Sequence, residues 1–359
     1  MKEEKTIYIN GKPVIGSETS PYIIAEIGTN HNGDIEIARA MIKDIADSGC
    51  DCVKFQIYEG EEIVSKKIKS SEYGLDDIYG DIYAREMFDK YLKTPKKWFP
   101  ELIQLAHSLN LHCAVTLHGE NGIQWSLDYN FDLIKIASMD HTNLPLLESM
   151  VKNVKQPILI STGMAKLKDV DDAMEILKKH TPGVGIFYCV AIYPPVKGEI
   201  SLENISYIAN RYNCPVGFSD HTPSNTAASA ALVYGSSIFE KHVTKDRTLP
   251  GPDHPFALEP RQLSEYVQSI NETKSFIGPS NFGELSFREK ENSKKYLKSI
   301  IMKKAMLAGE AISSEDIYLS RPGTGIKPKY YDFVVGKILL KDIDKESFLT
   351  WEDVEGGGN

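Results

Sequence analysis

Between residues 22 and 277, short apolar runs alternate with helical patterns, and few folds accommodate that rhythm. The runs fall at 22–26, 52–57, 112–116, 133–137, 158–161, 185–189, 215–218 and 237–243. Between them lie helical patterns such as IEIARAMIKDIADSG, PKKWFPELIQLAHSLN and LKDVDDAMEILKKH. Each of the eight runs is followed by a helical pattern. Such units across about 250 residues describe an α/β chain folded as a (β/α)8 (TIM) barrel. A doubly wound open sheet is the alternative, but no G-x-G-x-x-G follows the first run. The barrel is expected over residues 1–277.

Three segments depart from the rhythm. Asn10-Gly11 between short β-prone runs predicts an N-terminal hairpin over 6–15. Residues 59–93 are long, polar and rich in tyrosine, and a long loop after a barrel strand is expected to cover the site. Residues 278–295 are polar with Gly and Pro and are expected to be a linker to a small mixed domain at 296–359. The 359 residues are 42% hydrophobic and 25% charged, enough for one large core and a small one. No run approaches the roughly 20 apolar residues of a membrane span, and the N-terminus lacks the apolar centre of a signal peptide. The cysteines at 50, 52, 113, 189 and 214 lie in or beside apolar runs and are expected to be reduced in a cytoplasmic protein. The net charge of −9 argues against nucleic-acid or membrane partners. An anionic substrate would need local positive charge.

In such barrels the chemistry sits at the C-terminal ends of the strands, on inward-pointing side chains. The polar residues there are Glu26, Lys54, Gln56, Thr116, Lys135, Ser138, Ser161, Tyr193, Ser219, His221, Glu240 and His242. A lysine in an apolar strand is costly unless paired or functional. An ion pair such as Lys54–Glu26 would be purely structural, whereas two lysines and several serines converging suit a phosphate plus a carboxylate. A lone strand histidine is ordinarily a hydrogen-bonded core residue. His221 and His242 fall at the ends of successive runs, each beside a carboxylate, and neighbouring strands lie about 5 Å apart. The two could share a divalent ion.

Several segments carry a family resemblance along nearly the whole chain: IIAEIGTNHNGD, VKFQ, IKIAS, ILISTGM, CVAIYP, GFSDHT, EKHVTKDRTLPGPDH and SRPGTGI. In order and spacing they resemble the nonulosonic (sialic) acid synthases, in which a barrel precedes an antifreeze-like (SAF) domain. The resemblance implies condensation of phosphoenolpyruvate (PEP) with an N-acylated amino sugar, such as N-acetylmannosamine, for surface polysaccharide biosynthesis. Glu26 and Glu240 are then the catalytic carboxylates. Lys54, Thr116, Lys135, Ser138, Ser161 and Ser219 bind PEP, and Gln56, Asp140, Tyr193, Asp253 and Arg321 contact the sugar. His221 and His242 hold Mn2+ or Mg2+. Arg321 comes from the SAF domain of the partner in a homodimer.

Three positions depart from the commoner family pattern. STPF is replaced by VTLHGEN, with Leu117 and His118; the usual glutamate after IKIAS is Asp140; and Ala191 precedes Ile-Tyr-Pro. Ala191 and the unusual third loop resemble the branch named for spore-coat polysaccharide synthesis. The departures bear on the sugar, not on the metal or PEP residues. Legionaminic, pseudaminic or shorter 3-deoxy sugar acids are alternative products. A non-catalytic carbohydrate-binding paralogue is the alternative from another class.

Overall fold

The computed structural model describes residues 6–16 and 19–357. Residues 1–5, 17–18 and 358–359, and with them the outer ends of both expected domains, lie outside the described residues. The hairpin is β1 (Ile7–Ile9) and β2 (Lys12–Ile15), turned where Asn10 and Gly11 have φ of 50° and 76°. Both residues of such a tight turn need the left-handed region, which Asn and Gly tolerate best.

Eight parallel strands follow: β3 (Tyr22–Glu26), β4 (Cys52–Ile57), β5 (His112–Leu117), β6 (Leu133–Ile136), β7 (Ile158–Ser161), β8 (Val184–Cys189), β9 (Val216–Asp220) and β10 (Ile238–His242). They pair in chain order, and β10 pairs with β3 to close the barrel, setting Glu240 opposite Ile24 and His242 opposite Glu26. The expected strands match these within two residues. The largest difference is β9, which runs on to Asp220. That carboxylate is buried in the strand because Lys241, its register partner on β10, lies 3.1 Å away. Lys241 in turn sits over the Tyr266 ring at 5.4 Å. This outward-facing ion pair joins the strand ends that lead into His221 and complete His242.

Alternation divides the strands into two environments. Outward residues such as Ile23, Val53, Phe55, Val115, Ile134 and Phe239 form the large core beneath the helices. Inward residues Tyr22, Ile24, Cys52, Ala114, Leu133, Leu159, Phe187 and Ile238 form a second core. Ile7, Ile9 and Ile15 of the hairpin belong to that second core, so the hairpin plugs the N-terminal end. Room for the Phe187 ring depends on a missing side chain. A Cβ on Gly217 would meet Phe187 Cδ1 at 2.6 Å and Ile238 Cβ at 2.8 Å.

Residues 59–93 are a small folded unit, with short helices Gly60–Ile63 and Ala84–Met87 around Val64, Ala84, Met87 and Leu92. Its ends are tied by Lys93, which pairs with Glu59 and with Asp89 at 3.1 Å. Asp89 also accepts from the Gly60 N–H at 2.8 Å.

The chain divides into two compact units between Gly278 and Pro279. The second is not linker up to residue 295. A helix, Phe287–Tyr296, begins at a capping box in which Ser286 Oγ accepts from Glu289 N–H and the Glu289 carboxylate accepts from Ser286 N–H. Two antiparallel strands follow, β11 (Ser299–Met302) and β12 (Ile317–Ser320). They pack with Ile312, Ile326, Val334, Leu339, Leu349 and Val354 in a separate core. No described helix is long and apolar enough to cross a membrane.

Gly217→Ala is expected to overpack the barrel floor and destabilise the first unit by about 1–3 kcal/mol. A lower midpoint of urea unfolding would report it. An unchanged midpoint would contradict the packing described for Phe187.

Candidate active site

The inner face of the barrel changes character halfway along the strands. Above the apolar floor lie the buried residues Glu26, Lys54, Thr116, Lys135, Ser161, Ser219 and Glu240, all at or near strand C-termini. They line one cavity of about 430 Å³ together with Gln56, Ser138, Tyr193, His221, His242 and Asp253. The barrel thus brings together every first-unit residue expected at the site except Asp140.

The floor of the cavity is a ladder of opposite charges. Lys54 Nζ lies 2.6 Å from Glu26 Oε2 and 3.6 Å from Glu240 Oε2, and donates to Thr116 Oγ1 at 2.9 Å. Lys135 pairs with Glu240 Oε1, to which Ser219 also donates at 3.1 Å. Gln56 donates to Glu26 Oε1 at 2.9 Å. Burial alone would push the Glu240 carboxyl up, but Lys135 and Lys54 outweigh it and hold it well below the usual range. Burial pulls Lys135 down, with Lys54 adding repulsion against the pull of Glu240. Burial acts on Lys54 in the same direction, but Glu240 and Glu26 reverse it and raise its pKa. Ser138 Oγ accepts from the Gly163 N–H at 3.0 Å, and Ser161 Oγ is buried without a hydrogen-bond partner.

The two histidines stand at the cavity wall with ring centroids 5.6 Å apart. Burial lowers both to about 3, so both imidazoles are neutral, and repulsion between them adds to the effect at His221. His221 Nδ1 lies 2.9 Å from the Val190 carbonyl, which only accepts. Its proton is therefore on Nδ1 and its Nε2 carries a lone pair. His242 Nδ1 is buried without a hydrogen-bond partner, 3.6 Å from Asp253 Oδ2. Two neutral nitrogen donors, one of them orphaned, suit a divalent ion with positions left open for ligands. Among the described residues no group of three or more His, Cys, Asp or Glu could close a metal site. Burial, and then Glu26, raise Asp253 to about 7.

Above this floor the walls become apolar. Tyr73, Leu75, Phe88 and Leu92, all from the folded insertion, line the cavity. Met139, Met164 and Ala191 line it from the barrel loops. The sequence reading named Ala191 and the insertion as a segment but missed Met139, Met164 and the insertion's individual side chains, because loop side chains carry no alternation to say which way they face. Asp140 does not meet the expectation of a direct sugar contact. It stays off the cavity wall, and its Oδ2 lies 2.9 Å from Nδ1 of His118, which does line the cavity. Arg321 belongs to the second unit, where its guanidinium lies over the Tyr296 ring at 5.3 Å.

Comparison with known proteins gives this arrangement relatives. Residues 41–281 match the NeuB family and residues 298–355 the SAF domain. N,N'-diacetyllegionaminic acid synthase of Legionella pneumophila is 32% identical over 354 residues, 97% of this chain and 98% of that one. Pseudaminic acid synthase of Helicobacter pylori is 26% identical over 339 residues, 93% of this chain and 98% of that one. The crystal structure of the spore coat polysaccharide biosynthesis protein SpsE of Bacillus subtilis superimposes with a TM-score of 0.65 at 27% identity, covering 98% of this chain and 99% of that one. The chain belongs to the NeuB family of nonulosonic acid synthases, with a SAF domain following its barrel.

Proposed function

We propose that this enzyme condenses PEP with an N-acylated amino sugar to give a nonulosonic acid and inorganic phosphate. The observation that carries the reading is the convergence of Lys54 and Lys135, the hydroxyls of Thr116, Ser138, Ser161 and Ser219, the carboxylates of Glu26 and Glu240, and two neutral imidazoles on one cavity. Lys54, Lys135, Thr116, Ser138, Ser161 and Ser219 are the donors for the phosphate and carboxylate of PEP. Glu26, Glu240, Lys54 and Lys135 balance in charge among themselves. A highly charged anion arriving there calls for further positive charge, which fits a divalent ion, Mn2+ or Mg2+, at His221 and His242. Such an ion supplies Lewis-acid polarisation of the aldehyde carbonyl.

Carbon 3 of PEP forms a bond to the aldehyde carbon of the open-chain sugar, whose oxygen gains a proton and becomes a hydroxyl. The positive charge that develops at carbon 2 is met by Glu240, which the lysines keep ionised. Water adds at carbon 2 and gives its proton to a carboxylate, for which Glu26 and Glu240 are the candidates. Phosphate then leaves with cleavage of its bond to carbon 2, and the new hydroxyl loses its proton as the ketone forms. Gln56, Tyr193 and Asp253 orient the sugar above this floor. The five buried thiols suit a reducing cytoplasm.

Among the residues lining the barrel cavity there is no arginine. We propose that Arg321 of a second copy supplies the missing fork for the sugar's acyl carbonyl in a homodimer.

Phosphate release from PEP is expected only when an N-acyl amino sugar is present, and EDTA is expected to abolish it until Mn2+ is restored. Lys135→Ala should raise the PEP requirement about 10- to 100-fold, the loss of one charge-assisted hydrogen bond. Unchanged PEP dependence in a folded Lys135→Ala protein would contradict the phosphate assignment. For the dimer, Arg321→Ala and His221→Ala chains are each expected to be inactive alone. Verified mixed dimers should regain one working site; no recovery would mean that Arg321 does not act across the dimer.

A further inference from the structure

His118 follows β5 at the alternation position after Thr116, so its side chain shares the inward direction of that residue. It is 6% exposed, and its ring packs edge-on to Tyr58 at 5.6 Å. Tyr58 in turn meets the edge of Phe88, from the covering insertion, at 6.0 Å. His118 therefore belongs to the apolar upper wall of the cavity rather than to its charged floor. The turn Ser138–Asp140 brings a 7% exposed carboxylate up behind it, with Asp140 Oδ2 2.9 Å from Nδ1. A carboxylate only accepts, so Nδ1 carries the proton. In the neutral imidazole Nε2 is then a bare acceptor, and it is buried without a partner.

We propose that His118 is a specificity contact that accepts a hydrogen bond from the acceptor sugar, from a hydroxyl or an acylamino N–H, and that Asp140 is its positioning residue. This rests on the synthase reading above. Asp140 itself stays off the cavity wall, and the imidazole it holds makes the contact with the cavity. A site with a buried acceptor discriminates strongly against a substrate lacking the matching donor, because the acceptor is then left unpaired.

The test is steady-state phosphate release with PEP and either N-acetylmannosamine or 2,4-diacetamido-2,4,6-trideoxymannose, for wild type, His118→Phe, His118→Gln and Asp140→Asn. His118→Phe keeps a ring against Tyr58 but no acceptor, and is expected to raise the acceptor-sugar KM about tenfold, the loss of one hydrogen bond, with the PEP KM unchanged. His118→Gln retains an acceptor and should recover part of the loss. Asp140→Asn should raise the same KM and shift the 15N resonance of His118 Nε2 away from that of a bare nitrogen. Deoxy analogues of the accepted sugar separate the two donors. If a hydroxyl is read, removing it makes wild type and His118→Phe alike; if the N–H is read, no deoxy analogue does so. Phosphate release with unchanged sugar KM in folded His118→Phe and His118→Gln would overturn this inference alone. No release from wild type with any amino sugar would overturn the synthase reading, and this inference with it.

Discussion

The functional end of this barrel depends on keeping four ionised groups stable out of water. Lys54, Lys135, Glu26 and Glu240 are each no more than 6% exposed, and each faces an opposite charge. Any one of them alone would be driven towards its neutral form by burial. Pairing opposes that drive, most strongly at Glu240, and the paired groups are what the proposed chemistry uses. A buried ion network is weak evidence for stability, since apolar residues of the same volume often serve as well. Its presence on the inner face, directly above an apolar floor, is better explained by what enters the cavity.

The surrounding structure supports that network from three sides. The hairpin packs Ile7, Ile9 and Ile15 into the apolar core at the N-terminal end of the barrel. On the outer face, the Asp220–Lys241 pair braces the strands that carry Ser219, His221, Glu240 and His242. The insertion 59–93 closes on its own core and presents aromatic and aliphatic side chains to the cavity. A buried, charged floor beneath an apolar wall suits the proposed substrate pair, in which one member is a small polyanion and the other carries acyl groups.

Much of this was legible in the sequence because parallel strands buried on both faces read as continuous apolar runs. Within them, Lys54, Gln56, Glu240 and His242 are polar residues at strand ends, which the barrel reading placed on the inner face. Where alternation stops, legibility stops. The 3-10 turn Ser138–Asp140 directs Asp140 to His118, a relation no spacing encodes. Met139, in that same turn, and Met164, in a loop, gave no signal. The helix Phe287–Tyr296 buries none of its residues, so it lacks the apolar period that marks other helices. Its capping box, Ser286 to Glu289, was the only local sign. The choice of sugar depends on the upper wall, which loops build, and so remained the least legible property.

The central claim is that the lysines inside the barrel mouth exist to hold PEP. A crystal structure of the protein with PEP and Mn2+ tests it most directly. The account predicts the phosphate or carboxylate of PEP within hydrogen-bond distance of both Lys54 and Lys135, with at least one lysine drawn off its glutamate. PEP bound elsewhere, with both lysines still paired only to Glu26 and Glu240, would contradict it.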